Sequence, residues 1–169
     1  NRGSIYSGPL VVLVNAYSAS ASEFFANAIQ DYQRGIIVGS RTRGKATMQT
    51  ILPVNDAFIK LTIEGFYRIT GKSNQGIGIL PDVEIPYLFE NQIEHEDEIQ
   101  NAIKNDEIIP KMKFTLFNNP KKEVAVSNSK IRIKSNEDAS KVASMNDKIN
   151  TLFDFNFEPI PLNFSAVFD

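Results

Sequence analysis

The chain contains no cysteine, which excludes disulfides, thiolate nucleophiles and Cys-ligated metals. It contains one histidine, His95, so a hydroxyl nucleophile in a distant part of the chain needs some other base. It lacks a charge excess: 18 Lys and Arg stand against 20 Asp and Glu, and a formal charge of −2 gives no basic footprint for nucleic acid. No apolar run approaches the ~18–20 residues that span a bilayer. There is no internal repeat, no low-complexity tract and no signal-peptide pattern at the start. The opening NRGSIYSG has no initiator Met and reads as the inside of a loop, as expected of a piece cut from a longer protein. What is present is globular: 42% hydrophobic residues and twelve phenylalanines in 169 residues, enough for one domain with a core and room for an appendage.

The pattern divides the chain. GPLVVLVN, with its apolar run at 9–15, reads as a strand buried on both faces. A helix is expected from Ser20 to about Tyr32, with Phe24, Phe25, Ala28 and Ile29 at helical spacing. GIIVG at 35–39 reads as a second buried strand, which completes a βαβ unit. TMQTILPV and AFIKLTIEGFYRI then alternate around Asn55-Asp56 and predict a hairpin, and 70–86 is a Gly/Pro-rich loop. Residues 90–107 are acidic and predict a helix. EVAVSNSKIRIK at 123–134 alternates around Ser-Asn-Ser and predicts a second hairpin. The run at 136–153 predicts a helix with Val142, Met145, Ile149 and Leu152 on one face. The expected domains are a core at 1–104 and a smaller α+β appendage at 105–169.

The stretch NAYSASASE at 15–23 raises the chemical question. Ser20-x-x-Glu23 is a capping box, which accounts for one serine as a helix start. Ser20 also lies just past the carboxyl end of a buried strand, where open α/β sheets bind ligands. Free amides at a helix start favour negative charge, so an oxyanion there would meet the N–H of Ala21. The second clue is GSRTRGKATMQT at 39–50, which puts Lys45 in the loop after the second strand. Both loops leave the same edge of a parallel sheet, so Ser20 and Lys45 can meet. A neutral lysine amine is a usable base, and Ser–Lys pairs need no histidine. A solvated loop charge is the competing account of Lys45.

Residues 8–50, GPLVVLVNAYSASASEFFANAIQDYQRGIIVGSRTRGKATMQT, resemble the catalytic core of the C-terminal processing, or tail-specific, serine proteases. KLTIEGFYRITGKSNQGIGILPDVEIP resembles the stretch that follows in the tail-specific branch, so the similarity covers roughly 8–87. More weakly, NEDASKVASMNDKI resembles that branch's C-terminal region. The resemblance implies Ser20 as nucleophile and Lys45 as general base. It gives Gln49 as the glutamine that helps hold the lysine and Ala21 as one oxyanion amide, with Glu23, Asp31 and Thr42 at supporting positions. It implies a Clp-protease/crotonase-like α/β core, no metal or other cofactor, protein or peptide substrates with apolar C-termini, a possible homo-oligomer, and a cell-envelope location, periplasmic or membrane-associated. Relatives take a second oxyanion donor from a glycine-rich segment upstream and usually carry a PDZ domain. Neither is in this chain, so weak activity is expected of it alone. One loop departs from the pattern: SRTRGKA stands where relatives often have EPTFGKG, which makes Arg41, Arg43 and Ala46 unusual.

Other readings compete. GSRTRGKA nearly matches the phosphate-binding loop of nucleotide-binding proteins, but Ala46 replaces the Mg²⁺-binding hydroxyl and the next segment reads as strand, stopped by Pro53. Ser127-x-x-Lys130 matches the S-x-x-K of penicillin-binding enzymes without its partner motifs. A non-catalytic binding or structural piece is a third reading. His95, in EHEDE, is expected on an exposed acidic helix face, and no metal-ligand spacing stands out in that run.

Overall fold

The computed structural model describes residues 5–110 and 113–153. Residues 1–4 of the expected opening loop and 154–169 of the expected appendage lie outside the described residues.

The βαβ unit forms, but its first strand is not buried on both faces as expected: Val11 and Leu13 are exposed and only Val14 is buried, because one face of the strand is left uncovered among the described residues. Strand β1 (Val11–Val14) leads into helix α1 (Ala21–Asp31), which returns to strand β2 (Ile36–Gly39). β1 and β2 pair in parallel, Val11 opposite Ile36 through Val14 opposite Gly39. Strands β3 (Thr47–Val54) and β4 (Ala57–Gly65) form the expected antiparallel hairpin, turning at Asn55, whose φ is 53°. The Gly/Pro-rich stretch contains a two-residue strand, β5 (Val83–Glu84), which pairs in parallel with β2 and makes β2 the centre of a β1-β2-β5 sheet. Asp82 anchors it by accepting from the Ile37 N–H at 2.8 Å. Val14, Ala26, Ile37 and Ile79 form the buried apolar cluster, with Val12 and Ile29 against it.

The predicted apolar stripe of α1 is not its inner face. Phe24 and Phe25 are more than half exposed, and the buried residues of the helix are Glu23, Ala26 and Asn27. Two of those three are polar, which is costly unless their polar atoms are used.

Three further expectations are corrected. The acidic run 90–107 is not a helix: it holds a single 3₁₀ turn, Glu90–Gln92, and otherwise runs as turns and irregular chain. The segment expected to be a second hairpin is helix α2 (Lys122–Lys134). Its alternating Val124 and Ile131 point to solvent, while the half-buried residues Lys122, Ala125, Val126, Ser129 and Ile133 follow helical spacing. The appendage is therefore not α+β over its described part from 113 on, where α2 and helix α3 (Glu137–Phe153) are the regular elements. Helix α3 forms where expected, but its half-buried side is Ala139, Val142, Asn146, Ile149 and Asn150, with Met145 and Leu152 outside.

Contacts cross the expected boundary at 104/105. The Asn105 amide donates to the carbonyls of Ser73 and Gln75 at 2.9 and 2.8 Å, and the Tyr67 hydroxyl donates to Asp106 at 2.7 Å. The Asp106 carboxylate, by that bond, raises the Tyr67 pKa from its ordinary value. Further along, Lys122 pairs with Asp82 at 3.3 Å, and Asn146 bonds the backbone of Tyr87 and Phe89.

Candidate active site

The three serines of NAYSASASE separate by conformation. Ser18 Oγ accepts from the Asn15 N–H at 3.2 Å and Ser22 Oγ donates to the Ala19 carbonyl at 2.8 Å, so both are engaged in local turns. Ser20 is the N-cap of α1, with φ 57° and ψ −116°. A positive φ is uncommon for a residue with a Cβ and costs about 1–3 kcal/mol, so it persists only where surrounding bonds enforce it. A sharp strand-to-helix turn of this kind is also what exposes a serine Oγ at the edge of a sheet. Ala21 is the first residue of the helix, in the turn whose amides lack intrahelical acceptors.

Glu23 does the enforcing. The capping box is present, and Glu23 Oε2 accepts from the Ser20 N–H at 2.9 Å. The same carboxylate takes the Lys45 N–H at 2.9 Å, the Gly44 N–H at 2.8 Å and the Thr42 hydroxyl at 2.5 Å. Glu23 is 2% exposed. Hydrogen bonds to a charged group contribute about 1.5–3 kcal/mol each, which offsets the burial. The result is a staple: one carboxylate fixes the backbone of Ser20 and the backbone of Lys45 together. Thr42, fully buried, extends it by accepting from the Ile79 N–H at 2.7 Å. Gly44 has φ +88°, and a Cβ there would lie 3.0 Å from the Gly78 N, so the loop requires glycine for both reasons.

Lys45 Nζ donates to Thr47 Oγ1 at 3.4 Å, and Gln49 Nε2 donates to the same oxygen at 2.9 Å. An ideal strand would separate Lys45 from Gln49 by about 13 Å along its axis. The threonine between them closes that gap, and the strand register shifts at Met48/Gln49. Gln49 is held from the other side by Thr62 Oγ1 at 3.2 Å across the hairpin.

A cleft of about 80 Å³ runs along α1. Ser20, Glu23, Phe24, Asn27, Ala28 and Asp31 line it at helical spacing, and Lys45, Ala46, Asn74 and residues 66–69 face them. The Phe24 and Phe66 rings meet at 6.1 Å. Asp31 closes the far end: the Arg68 guanidinium holds both its carboxylate oxygens and donates to Gln30 at 3.1 Å.

The unusual Arg41 and Arg43 have a counterpart in the acidic run. Arg41 pairs with Asp97 at 2.9 Å, Arg43 with Glu94 at 3.0 Å, and Lys45 Nζ lies 4.0 Å from Glu96. The Glu96 N–H donates to the Arg43 carbonyl at 2.9 Å, so the run lies along the loop as a strap. The hydrogen bond from Arg41 holds the Asp97 carboxyl below its ordinary pKa. His95 is not on an exposed helix face: it is buried, and its Nδ1 lies 3.1 Å from the Thr42 carbonyl oxygen. A carbonyl only accepts, so Nδ1 carries the proton.

The phosphate-loop reading does not survive this geometry. Lys45 leads into strand β3 rather than a helix, and the Gly44 and Lys45 amides are spent on Glu23. Ser127 and Lys130 lie on α2, in the appendage.

Of the residues expected at the site, Ser20, Glu23, Asp31 and Lys45 line the cleft, Ala21 adjoins it, and Thr42 and Gln49 reach it through Glu23 and Thr47. Sequence reasoning missed Thr47, Thr62, Asn27, Glu96 and the wall at 66–69. Two carried a signal: Asn27, as a polar residue on the same stripe as Ser20 and Glu23, and residues 66–68, the FYR of the stretch that resembles the tail-specific branch.

The fold is mixed α/β, with a serine at a strained helix start and a lysine in the loop after the next strand lining one cleft. The sequence profile of Peptidase family S41 matches residues 1–85, half of the chain, and the chain belongs to that family. It is similar to the tail-specific protease of Haemophilus influenzae, 41% identical over 112 residues, which cover 61% of this chain and 16% of that protein. It is also similar to the carboxy-terminal-processing protease of Bartonella bacilliformis, 45% identical over 78 residues, 46% of this chain and 18% of that protein. The chain thus spans less than a fifth of the length of these curated relatives. Among solved structures, the photosystem II D1 C-terminal processing protease matches with a TM-score of 0.43 and 42% identity, over 46% of this chain and 20% of that one. Among the described residues no helix is long and apolar enough to cross a membrane, and no cluster of side chains is suited to hold a metal ion.

Proposed function

We propose that this chain carries the catalytic residues of a serine endopeptidase that cuts proteins near their C-termini, on a Clp-protease/crotonase-like core. The observation that carries the reading is the Glu23 staple, which holds Ser20 and Lys45 in one cleft. In this mechanism the Lys45 amine takes the Ser20 hydroxyl proton as Oγ attacks the scissile carbonyl carbon. The developing oxyanion meets the Ala21 N–H. The Lys45 ammonium then gives its proton to the departing amine as the C–N bond breaks, leaving an acyl ester on Ser20. Water, deprotonated by Lys45, adds to the ester, and the proton returns to Ser20 as the new carboxyl terminus leaves. Thr47 and Gln49 orient the lysine in this scheme, and Thr42 and Glu23 fix its backbone. The proposed substrates are proteins or peptides with apolar C-termini, met in the cell envelope, and the proposed working form is a homo-oligomer.

The test is a fluorogenic peptide with an apolar C-terminus, cleaved by the protein that carries these residues in full. Ser20→Ala and Lys45→Ala should each lower kcat at least about 10³-fold, and the double substitution should be no worse than either, because residues acting as one unit are non-additive. Substantial activity in a folded Lys45→Ala variant would end the Ser–Lys scheme.

A further inference from the structure

Gln75 does not line the cleft, yet both ends of its carboxamide are turned on the lysine loop and its surroundings. It is 3% exposed. Its Oε1 accepts from the Ala46 N–H at 2.9 Å, and its Nε2 donates to Glu96 Oε1 at 3.2 Å. That same Glu96 oxygen lies 4.0 Å from Lys45 Nζ. One end of the carboxamide meets a donor and the other a carboxylate. Only a group that both accepts and donates satisfies the two, and this fixes which way the amide points. A polar group buried to this degree is costly unless its bonds are made, and here they are.

The consequence lies in the backbone. Peptide units are planar, so the direction in which a side chain leaves the chain is set by the two planes that flank its Cα. The plane before Lys45 is held at the Lys45 N–H by Glu23 Oε2 at 2.9 Å. The plane after it ends on the Ala46 N–H, which Gln75 holds. Just beyond, the Ala46 carbonyl accepts from the Phe66 N–H at 2.7 Å. Lysine reaches its target through a flexible four-carbon stem, so an error of direction at the Cα is carried out to the amine. Gln75 is itself anchored. Its N–H donates to Ser73 Oγ at 3.2 Å, and its carbonyl accepts from the Asn105 amide at 2.8 Å. The next N–H, of Gly76, donates to the Gly44 carbonyl at 2.8 Å, which ties the two loops on the other side of the lysine.

We propose that Gln75 is a positioning residue for the peptidase reaction: it fixes the peptide plane that follows Lys45, as Glu23 fixes the one that precedes it, and so sets the direction from which the amine approaches Ser20. The proposal rests on the peptidase reading above. Glu23 alone leaves the second plane free to turn about the Lys45 Cα, and a base whose stem swings spends less time within reach of the hydroxyl.

The experiment measures kcat and KM for the fluorogenic peptide with the protein that carries these residues in full. Gln75→Met keeps the length of the side chain and removes both bonds. It should lower kcat about 30-fold with KM within about twofold, since a misplacement of ~1 Å costs up to about 10²-fold. Exchanging the two groups, Gln75→Glu together with Glu96→Gln, restores an acceptor for the Ala46 N–H and a donor between the pair. The exchange should bring kcat back within about fivefold of wild type, and it carries the same measurement if the methionine variant fails to fold. Asn105→Ala is the structural control, because it cuts two bonds to the same loop and none to the lysine loop. It should lower Tm while kcat stays within about twofold. Three results overturn the role of Gln75 while the peptidase reading stands: wild-type kcat in a folded Gln75→Met variant, a folded exchange variant about 30-fold slow, or a kcat loss in Asn105→Ala that matches Gln75→Met. A folded wild type that cleaves no peptide overturns both.

Discussion

The cleft region and the β3–β4 hairpin invert the usual arrangement of a globular fold. Around the cleft, the buried residues include Glu23, Asn27, Thr42, Ser73, Asn74, Gln75 and His95. On the hairpin, Ile51, Phe58, Ile59 and Ile63 are more than half exposed, and Leu52 and Leu61 nearly so. The difference teaches where order comes from in each. The hairpin is held by its ladder, paired from Thr47–Gly65 to Val54–Ala57, and its apolar side chains are not what fixes it among the described residues. The cleft is held by directed bonds that converge on one carboxylate. Directed bonds fix atoms to fractions of an ångström, which a reacting pair needs and apolar packing alone does not supply.

That contrast can be broken most forcefully at Glu23. Glu23→Ala strands four donors and should cost more than about 3 kcal/mol, read as a lower midpoint in denaturant. A loss below about 1 kcal/mol would mean that the network is decoration. Asp97→Asn tests the strap and should cost less than about 1 kcal/mol at neutral pH, as exposed pairs do. The sign with pH is fixed. The Arg41 bond lowers the folded-state pKa of Asp97, so its contribution is present above the ordinary aspartate range and is lost as pH falls through the folded value. The Tm gap between wild type and Asp97→Asn should therefore narrow as pH falls below the ordinary aspartate value, and a gap that widens there contradicts the assignment. The smallest effect is expected on the hairpin: Phe58, 75% exposed, should tolerate Thr within about 0.5 kcal/mol by the same unfolding measurement. A Phe58→Thr loss comparable to that of Glu23→Ala would erase the difference between the two regions.

The elements with strong local signals were legible. The apolar runs at 9–15 and 35–39 and the alternation around Asn55-Asp56 gave strands because few other structures can bury or pair them. α2 was not legible. Its Val124, Val126, Ile131 and Ile133 alternate like a strand, and only packing against α3 and β5 made helical spacing the one that buries anything. The run 90–107 has helix-forming residues, but its charges are drawn onto Arg41, Arg43 and Lys45, and its backbone follows them.

By itself the sequence determined the βαβ order, and hence that the loops holding Ser20 and Lys45 leave one edge of a parallel sheet. It also supplied the capping box that places Glu23 beside Ser20. Only the tertiary structure decided that this carboxylate reaches the 42–45 loop as well, that Thr47 stands between Lys45 and Gln49, and that α1 buries Asn27 rather than Phe24. The physical reason is range. Periodicity and capping are set within a turn or two of chain, whereas a buried carboxylate takes whichever donors the packed fold brings within about 3 Å, and those lie in another crossover loop.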